Sequence, residues 1–193
     1  MSEQRVVIAD ADPSCRKSLK ALLQQAGYVV VGEAEDGLSA LKLIRNRQPD
    51  LIIIEDRLGI MDGKEVADIV QEEALAPIIL MTGHDRLNFQ GQHKVTRDFA
   101  YVIKPVSEHN LFPVIDLVMR NYRKIRSLED EIVKLKETLE TRKLVEKAKG
   151  ILMDSLGVTE AEAFKRIQKQ SMNKRMSMKS VAKAIILAHE LKA

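Results

Sequence analysis

The feature that most restricts the fold is an alternation: five short apolar runs, separated by stretches with helical spacing. The runs are RVVIA at 5–9, YVVV at 28–31, LIII at 51–54, PIILM at 77–81 and AYVI at 100–103. After Pro13, Leu19, Leu22 and Leu23 recur as on one face of a helix that Gly27 closes, and Leu38, Leu41 and Ile44 repeat the pattern before Pro49. Further helices are expected around Val66–Val70 and from about Asn110, whereas the segment from His84 to Arg97 is poorly patterned. Runs this apolar have no polar face to turn toward water, so the sheet must be covered on both sides. The expected architecture is an α/β, doubly wound, parallel five-stranded sheet between two layers of helices.

Such a sheet gathers its polar chemistry beyond the carboxyl ends of its strands. Those ends carry Asp10 and Asp12, Glu55 and Asp56, Thr82, and Lys104 ahead of Pro105. Carboxylates in that position hold a hard cation such as Mg2+, while a hydroxyl and an ammonium bind phosphate oxygens. Polar residues end many strands, but this set in this order points to phosphoryl chemistry.

Residues 1–121 resemble a response-regulator receiver domain, a flavodoxin-like fold. The loop Asp10-Ala11-Asp12-Pro13, then Met61-Asp62-Gly63, Thr82, Tyr101 and Lys104-Pro105 stand in that family's order. The resemblance implies an aspartate seven residues before Asp62 that takes phosphate from a histidine kinase. It also assigns Asp10, Asp12, Thr82, Tyr101 and Lys104 to the pocket and its switch. Position 55 is Glu instead, and Ala11 stands where the family carries the second of two adjacent acids. The extra methylene moves the carboxylate roughly 1–1.5 Å further along the chain, which near-attack geometry does not tolerate. Ala11 removes an oxygen ligand that a hard cation needs.

The expectation is a degenerate receiver that is not phosphorylated in the ordinary way, with Glu55 at the phosphoacceptor-equivalent position. Asp56 is the less favoured acceptor, because neighbouring strand residues point to opposite faces. Asp10 and Glu55 are at most weak Mg2+ ligands, and no cofactor is required. Input comes from a histidine kinase or from a regulatory protein that transfers no phosphate. A longer acid reaching Lys104 and Thr82 would imitate the phosphorylated state.

The helical pattern then continues through a connector at residues 112–140. Val118, Ile125, Ile132 and Leu139 fall seven apart, and Leu128 and Leu135 lie three residues after Ile125 and Ile132. β-Branched residues at a and Leu at d favour a parallel two-stranded coiled coil, hence a homodimer. Asn121, at a d position, would set register.

Charge divides the chain further. Residues 1–120 hold 14 Lys+Arg against 18 Asp+Glu, whereas residues 141–193 hold 12 against 5. A basic tail behind an acidic front suggests a second module facing an anion. Gly157 ends the connector helix, and Thr159 with Glu162 makes a T-x-x-E capping box for the next, with Ala163, Phe164 and Ile167 on its apolar side. A last helix carries Val181, Ala182, Ile185 and Ile186, completing a small three-helix bundle.

Residues 126–190 resemble the ANTAR domain of the AmiR and NasR transcription antitermination regulators. The resemblance rests on Arg142, Ala148-Lys149-Gly150-Ile151-Leu152-Met153, Glu162-Ala163-Phe164 and Ser171-Met172-Asn173-Lys174-Arg175. It implies a dimer that binds stem-loop RNA in nascent transcripts so that a terminator cannot form. Arg142, Lys147, Lys149, Ser171, Asn173, Lys174 and Arg175 are the candidate RNA contacts, by phosphate pairing and guanidinium stacking on loop bases. Ile151, Leu152, Met153 and Phe164 read as core. Gly150 costs helix stability, so it reads as a place of close approach by another helix or RNA.

The rival reading is a DNA-binding response regulator. Against it, the last helix, MKSVAKAIILAHEL, is largely apolar and no polar recognition helix is evident. An enzyme is least favoured, and no catalytic residue is assigned, because the one reaction-like pocket is impaired. No apolar run nears the roughly 20 residues of a membrane helix. The lone Cys15 suits a reducing cytoplasm, and four scattered histidines argue against a Cys/His metal cluster.

Overall fold

The computed structural model describes residues 4–83 and 99–191; the weakly patterned stretch from His84 to Arg97 lies outside them. The chain forms two compact units, residues 1–125 and 126–193.

In the first unit, β1 (Arg5–Ala9), β2 (Val29–Ala34), β3 (Leu51–Glu55), β4 (Ile78–Thr82) and β5 (Ala100–Ile103) form one parallel sheet. The strand order is β2-β1-β3-β4-β5. Helices α1 (Pro13–Gln25), α2 (Gly37–Arg47) and α3 (Gly63–Glu72) connect the early strands. Neighbouring strand residues point to opposite faces, so each run feeds two cores. Val6, Ile8, Leu51, Ile53, Ile79 and Met81 pack with Leu19 and Leu23 of α1 and with Leu111, Ile115 and Met119. Val7, Ala9, Ile52, Ile54 and Leu80 pack with Ala40, Leu41, Ile44, Val66, Ala67 and Val70 of α2 and α3. Each fully buried aliphatic side chain contributes about 1.5–3 kcal/mol.

The helices start where the sequence offers caps. Asp12 accepts from Ser14 N–H at 2.9 Å ahead of Pro13, and Asp36 accepts from Ser39 N–H at 2.8 Å. Asp62 is the N-cap residue of α3, and Glu65 reaches back to accept from the Asp62 N–H at 3.0 Å. A Cβ at Gly63 would overlap the carbonyl oxygen of Glu55. Only glycine lets α3 begin against the end of β3, which explains the Asp62-Gly63 pair in terms of packing.

A long helix, α4 (Glu108–Leu156), is followed by α5 (Glu160–Lys174) and α6 (Met178–Glu190). In the second unit Val145 and Ala148 of α4 pack with Ile167, Val181, Ala182 and Ile186. Gly157 has φ +61° and its N–H caps Met153 O at 2.9 Å, ending α4. Thr159 and Glu162 close the expected capping box. Phe164 departs from expectation at 41% exposure, and Met153 is 37% exposed. Ala163 and Ile167, one turn apart, take the inward face of α5, and Phe164 is rotated away from it. Ile151 and Leu152 pack against the small core as expected.

Candidate functional site

The strand ends converge on one ion cluster. Lys104, just after β5, places Nζ 2.6 Å from Asp10 Oδ2 and 2.8 Å from Glu55 Oε1. The other Glu55 oxygen accepts from Ala11 N–H at 3.3 Å. Asp10, fully buried at the end of β1, accepts at Oδ1 from Asp12 N–H at 2.9 Å. Two residues outside the expected set complete the cluster. Cys15, in the first turn of α1, donates its thiol hydrogen to Asp10. Arg16 Nη1 donates to the carbonyl oxygens of Asp10 and Ala11, at 2.6 and 3.3 Å. Asn110 Nδ2 donates to Ile103 O and Pro105 O, at 3.0 and 3.1 Å, holding the backbone on either side of Lys104. The Lys104–Pro105 peptide bond is cis.

Burial opposes the Asp10 charge, but hydrogen bonds from Cys15, Lys104 and the Asp12 N–H outweigh it and hold the carboxyl below the ordinary aspartate range. Burial also works against the Lys104 ammonium, and Asp10 and Glu55 reverse that, raising its pKa. The Cys15 thiol is pushed up to about 12, first by burial and then by its bond to the Asp10 carboxylate. It is a hydrogen-bond donor here, not a nucleophile.

The adjacent acids of β3 go separate ways. Asp56 is buried, and its Oδ2 accepts from Thr82 Oγ1 at 2.9 Å. Its backbone N–H donates to Met81 O at 2.8 Å, carrying the sheet one residue past β3. Glu55 therefore reaches Lys104 as expected, but the Thr82 hydroxyl is bonded to Asp56. Tyr101 is half-buried against the α2–α3 side of the sheet. Asp12 spends one carboxylate oxygen on the α1 cap.

The candidate RNA residues also divide. Arg142, Asn173, Lys174 and Arg175 are exposed. Lys147 is exposed and pairs with Glu190 at 3.1 Å. Lys149 is only 7% exposed, its stem in the core and its ammonium between Glu160 at 2.6 Å and Glu146 at 2.8 Å. It ties the end of α4 to the start of α5. Ser171 donates to Met176 O at 2.6 Å and fastens the α5–α6 turn, where Arg175 is the left-handed C-cap at φ 50°. Among the described residues, no atom beyond the helix's own adjoining backbone lies within 4 Å of a Cβ placed on Gly150, so no described neighbour demands glycine there.

Along α4, Ile125, Leu128, Ile132, Leu135 and Leu139 are 43–57% exposed. Val118 differs: it is half-buried against the sheet's own core. It sits within reach of Met119 and Ile115, so the first heptad position serves the receiver.

Residues 6–116 match the response regulator receiver domain family, and residues 133–186 match the ANTAR domain. The transcriptional regulatory protein PdtaR of Mycobacterium tuberculosis is 38% identical over 183 residues, covering 95% of this chain and 89% of that protein. The chain belongs to the receiver–ANTAR response regulators. Its function is control of transcription by antitermination through RNA, and the DNA-binding reading falls away. The receiver half is similar to the signal receiver domain of NarL from M. tuberculosis, at 25% identity and TM-score 0.50, covering 64% of this chain and 98% of that one. A diguanylate cyclase receiver from Desulfovibrio desulfuricans shares the fold at 24% identity and TM-score 0.54, covering 63% and 98%.

In this receiver unit position 55 is Glu, position 11 is Ala, and the buried Asp56 is bonded to Thr82. Sequence reasoning missed Cys15 and Arg16. Their signal was position, since both fall in the first turn of the helix that the acidic loop opens, where side chains reach back toward the strand end. No described helix is long and apolar enough to cross a membrane.

Proposed function

We propose that the chain works as a homodimer zipped along α4, with exposed cations of its ANTAR unit gripping stem-loops in nascent RNA. The observation that carries this reading is the pairing state of the basic residues. Arg142, Lys174 and Arg175 are exposed and make no ion pair among the described residues, while Lys149 is committed to Glu146 and Glu160. Free cations release counterions when they meet phosphates, which drives binding. The exposed apolar seam from Ile125 to Leu139 supports the dimer, because leaving five large aliphatic side chains in water costs more than pairing them. Gel shifts of the full chain with hairpin RNA and with duplex DNA, at several salt concentrations, test it. Neutralising Arg142, Lys174 and Arg175 together should weaken hairpin binding and flatten its salt slope; an unchanged slope would sink the reading.

The receiver, in this proposal, works without phosphoryl transfer and without a divalent cation. A receiver cation needs several free carboxylate oxygens. Here the facing oxygens of Asp10 and Glu55 are shared with Lys104, Asp12 caps a helix, and position 11 is Ala. This donor set does not fit Mg2+, so its input is a protein partner that reads the surface around the closed pocket. Isothermal titration of Mg2+ into the full chain should show no saturable heat, and saturable binding abolished by Asp10→Ala would overturn this part.

A further inference from the structure

The second unit contains a cleft of about 680 Å³ between the end of α4, α5 and α6. Its floor is aliphatic, built from Leu152, Leu156 and Ile185. One wall stays low because α6 presents Ala184 and Ala188, one turn apart and both exposed. α5 contributes Arg166, Lys169, Gln170, Asn173 and Lys174, which share one helix face because 166, 170 and 174 fall four apart, as do 169 and 173. No carboxylate lines the cleft, and none of the three cations is ion-paired among the described residues. An apolar floor beside cations that no ion pair neutralises suits a ligand with a flat apolar body and an attached anion.

We infer that this cleft receives an unpaired nucleotide of the RNA loop, its base against the aliphatic floor and its phosphate on the α5 cations. The inference rests on the RNA-binding reading and specifies how that reading reads sequence. Proteins recognise RNA sequence mainly at splayed loop bases, because the duplex hides its base edges. Stacking usually falls to aromatic rings, but the cleft has none, so Leu156, Ile185 and the plane of the Arg166 guanidinium supply the surfaces. Asn173 and Gln170 each offer a donor and an acceptor for a base edge. Arg166 and Lys169 provide the phosphate contacts. The volume lies within the range of pockets that hold a small-molecule-sized group. A partner helix fits less well, since docking one would bury the three cations without acids to meet them.

The test uses the full chain and a pool of synthetic hairpins with one fixed stem and a randomised loop. Hairpins retained by the wild-type chain are resynthesised with an abasic site at each loop position in turn. Ala184→Phe fills the cleft from an exposed wall position and leaves the core of Val181, Ala182 and Ile186 untouched. It should weaken the retained hairpins by at least about ten-fold, the scale of losing one good base contact, with its salt slope unchanged. One abasic loop should bind the wild-type chain as weakly as the intact hairpin binds the variant, and the two changes together should add nothing more. Arg166→Gln with Lys169→Gln should instead lower the salt slope. If the wild-type chain retains no hairpin, the RNA-binding reading itself fails. If it retains hairpins but Ala184→Phe binds them equally well, or loses affinity equally for the loopless stem, the cleft is not a nucleotide site. If Ala184→Phe instead turns a dimer into a monomer in sedimentation, the cleft is a contact between copies of the chain and the inference is overturned.

Discussion

Thr82 donates its hydroxyl hydrogen to Asp56 across 2.9 Å, while Glu55, one residue earlier, turns to Lys104. The strand-end hydroxyl and the strand-end lysine are thus engaged by two neighbouring acids and not by one.

Removing either side of the Thr82–Asp56 bond should be felt as stability. Thr82→Val strips a buried carboxylate of a donor, which costs about 1–3 kcal/mol, and Asp56→Ala should fall in the same range. Urea denaturation of the first unit's transition checks both. Equal midpoints for Thr82→Val and wild type would show that the bond contributes nothing.

Phosphate uptake should be absent. Incubated with Mg2+ and a small phosphodonor, the wild-type chain should keep its mass. Glu55→Asp combined with Ala11→Asp, which restores the shorter acceptor and the missing acid, should gain one phosphate. A wild-type gain that disappears in Glu55→Ala would refute the degenerate pocket.

The pocket also sets a pH window. Asp10 is depressed when folded, so its contribution is present above its ordinary value near 3.8 and is lost as pH falls through the lower folded value. Lys104 is raised, so its contribution is present below its ordinary value near 10.5 and fades as pH climbs through the higher folded value. The difference in unfolding midpoint between wild type and Lys104→Met should therefore be flat between those limits and shrink beyond either. A difference that varied across the neutral range would place the relevant titration elsewhere.

Leu135→Asp puts a charge into the proposed seam at one of its most exposed leucines. Sedimentation equilibrium should show wild-type dimer and mutant monomer at micromolar concentration, with the first unit's unfolding unchanged because the receiver core ends at Met119 and Val118. A wild-type monomer would remove the coiled coil.

Gly150 offers a contrast between stability and binding. With no described neighbour against it, Gly150→Ala should stabilise the second unit by about 1 kcal/mol. If RNA affinity falls at the same time, the glycine serves close approach by another molecule; unchanged affinity would make it neutral.

The receiver fold was legible because its signals are local and repeated: each apolar run and each helix spacing points to the same doubly wound sheet. The strand-end acids, Thr82 and Lys104 were legible for the same reason, since topology brings all carboxyl ends to one edge. What the residues could not reveal was how they would pair. Lys149 and Arg175 are both basic residues inside ANTAR motifs, yet one is buried between two glutamates and the other is an exposed helix cap. Val118 obeys the heptad as well as Ile125 does, but only the sheet beneath it decides that it belongs to the receiver.

By itself, then, the sequence determined the order of strands and helices, the joining of an acidic receiver to a basic ANTAR module, and the Glu55 and Ala11 departures. Periodicity, caps and residue identity are carried along the chain and need no partner from far away. Only the tertiary structure decided that Lys104 would bind Asp10 and Glu55 together, that Thr82 would choose Asp56, and that Cys15 would donate to Asp10. Those outcomes depend on which side chains meet across strands and helices at hydrogen-bonding distance, and burial there removes the water that would otherwise satisfy each group alone.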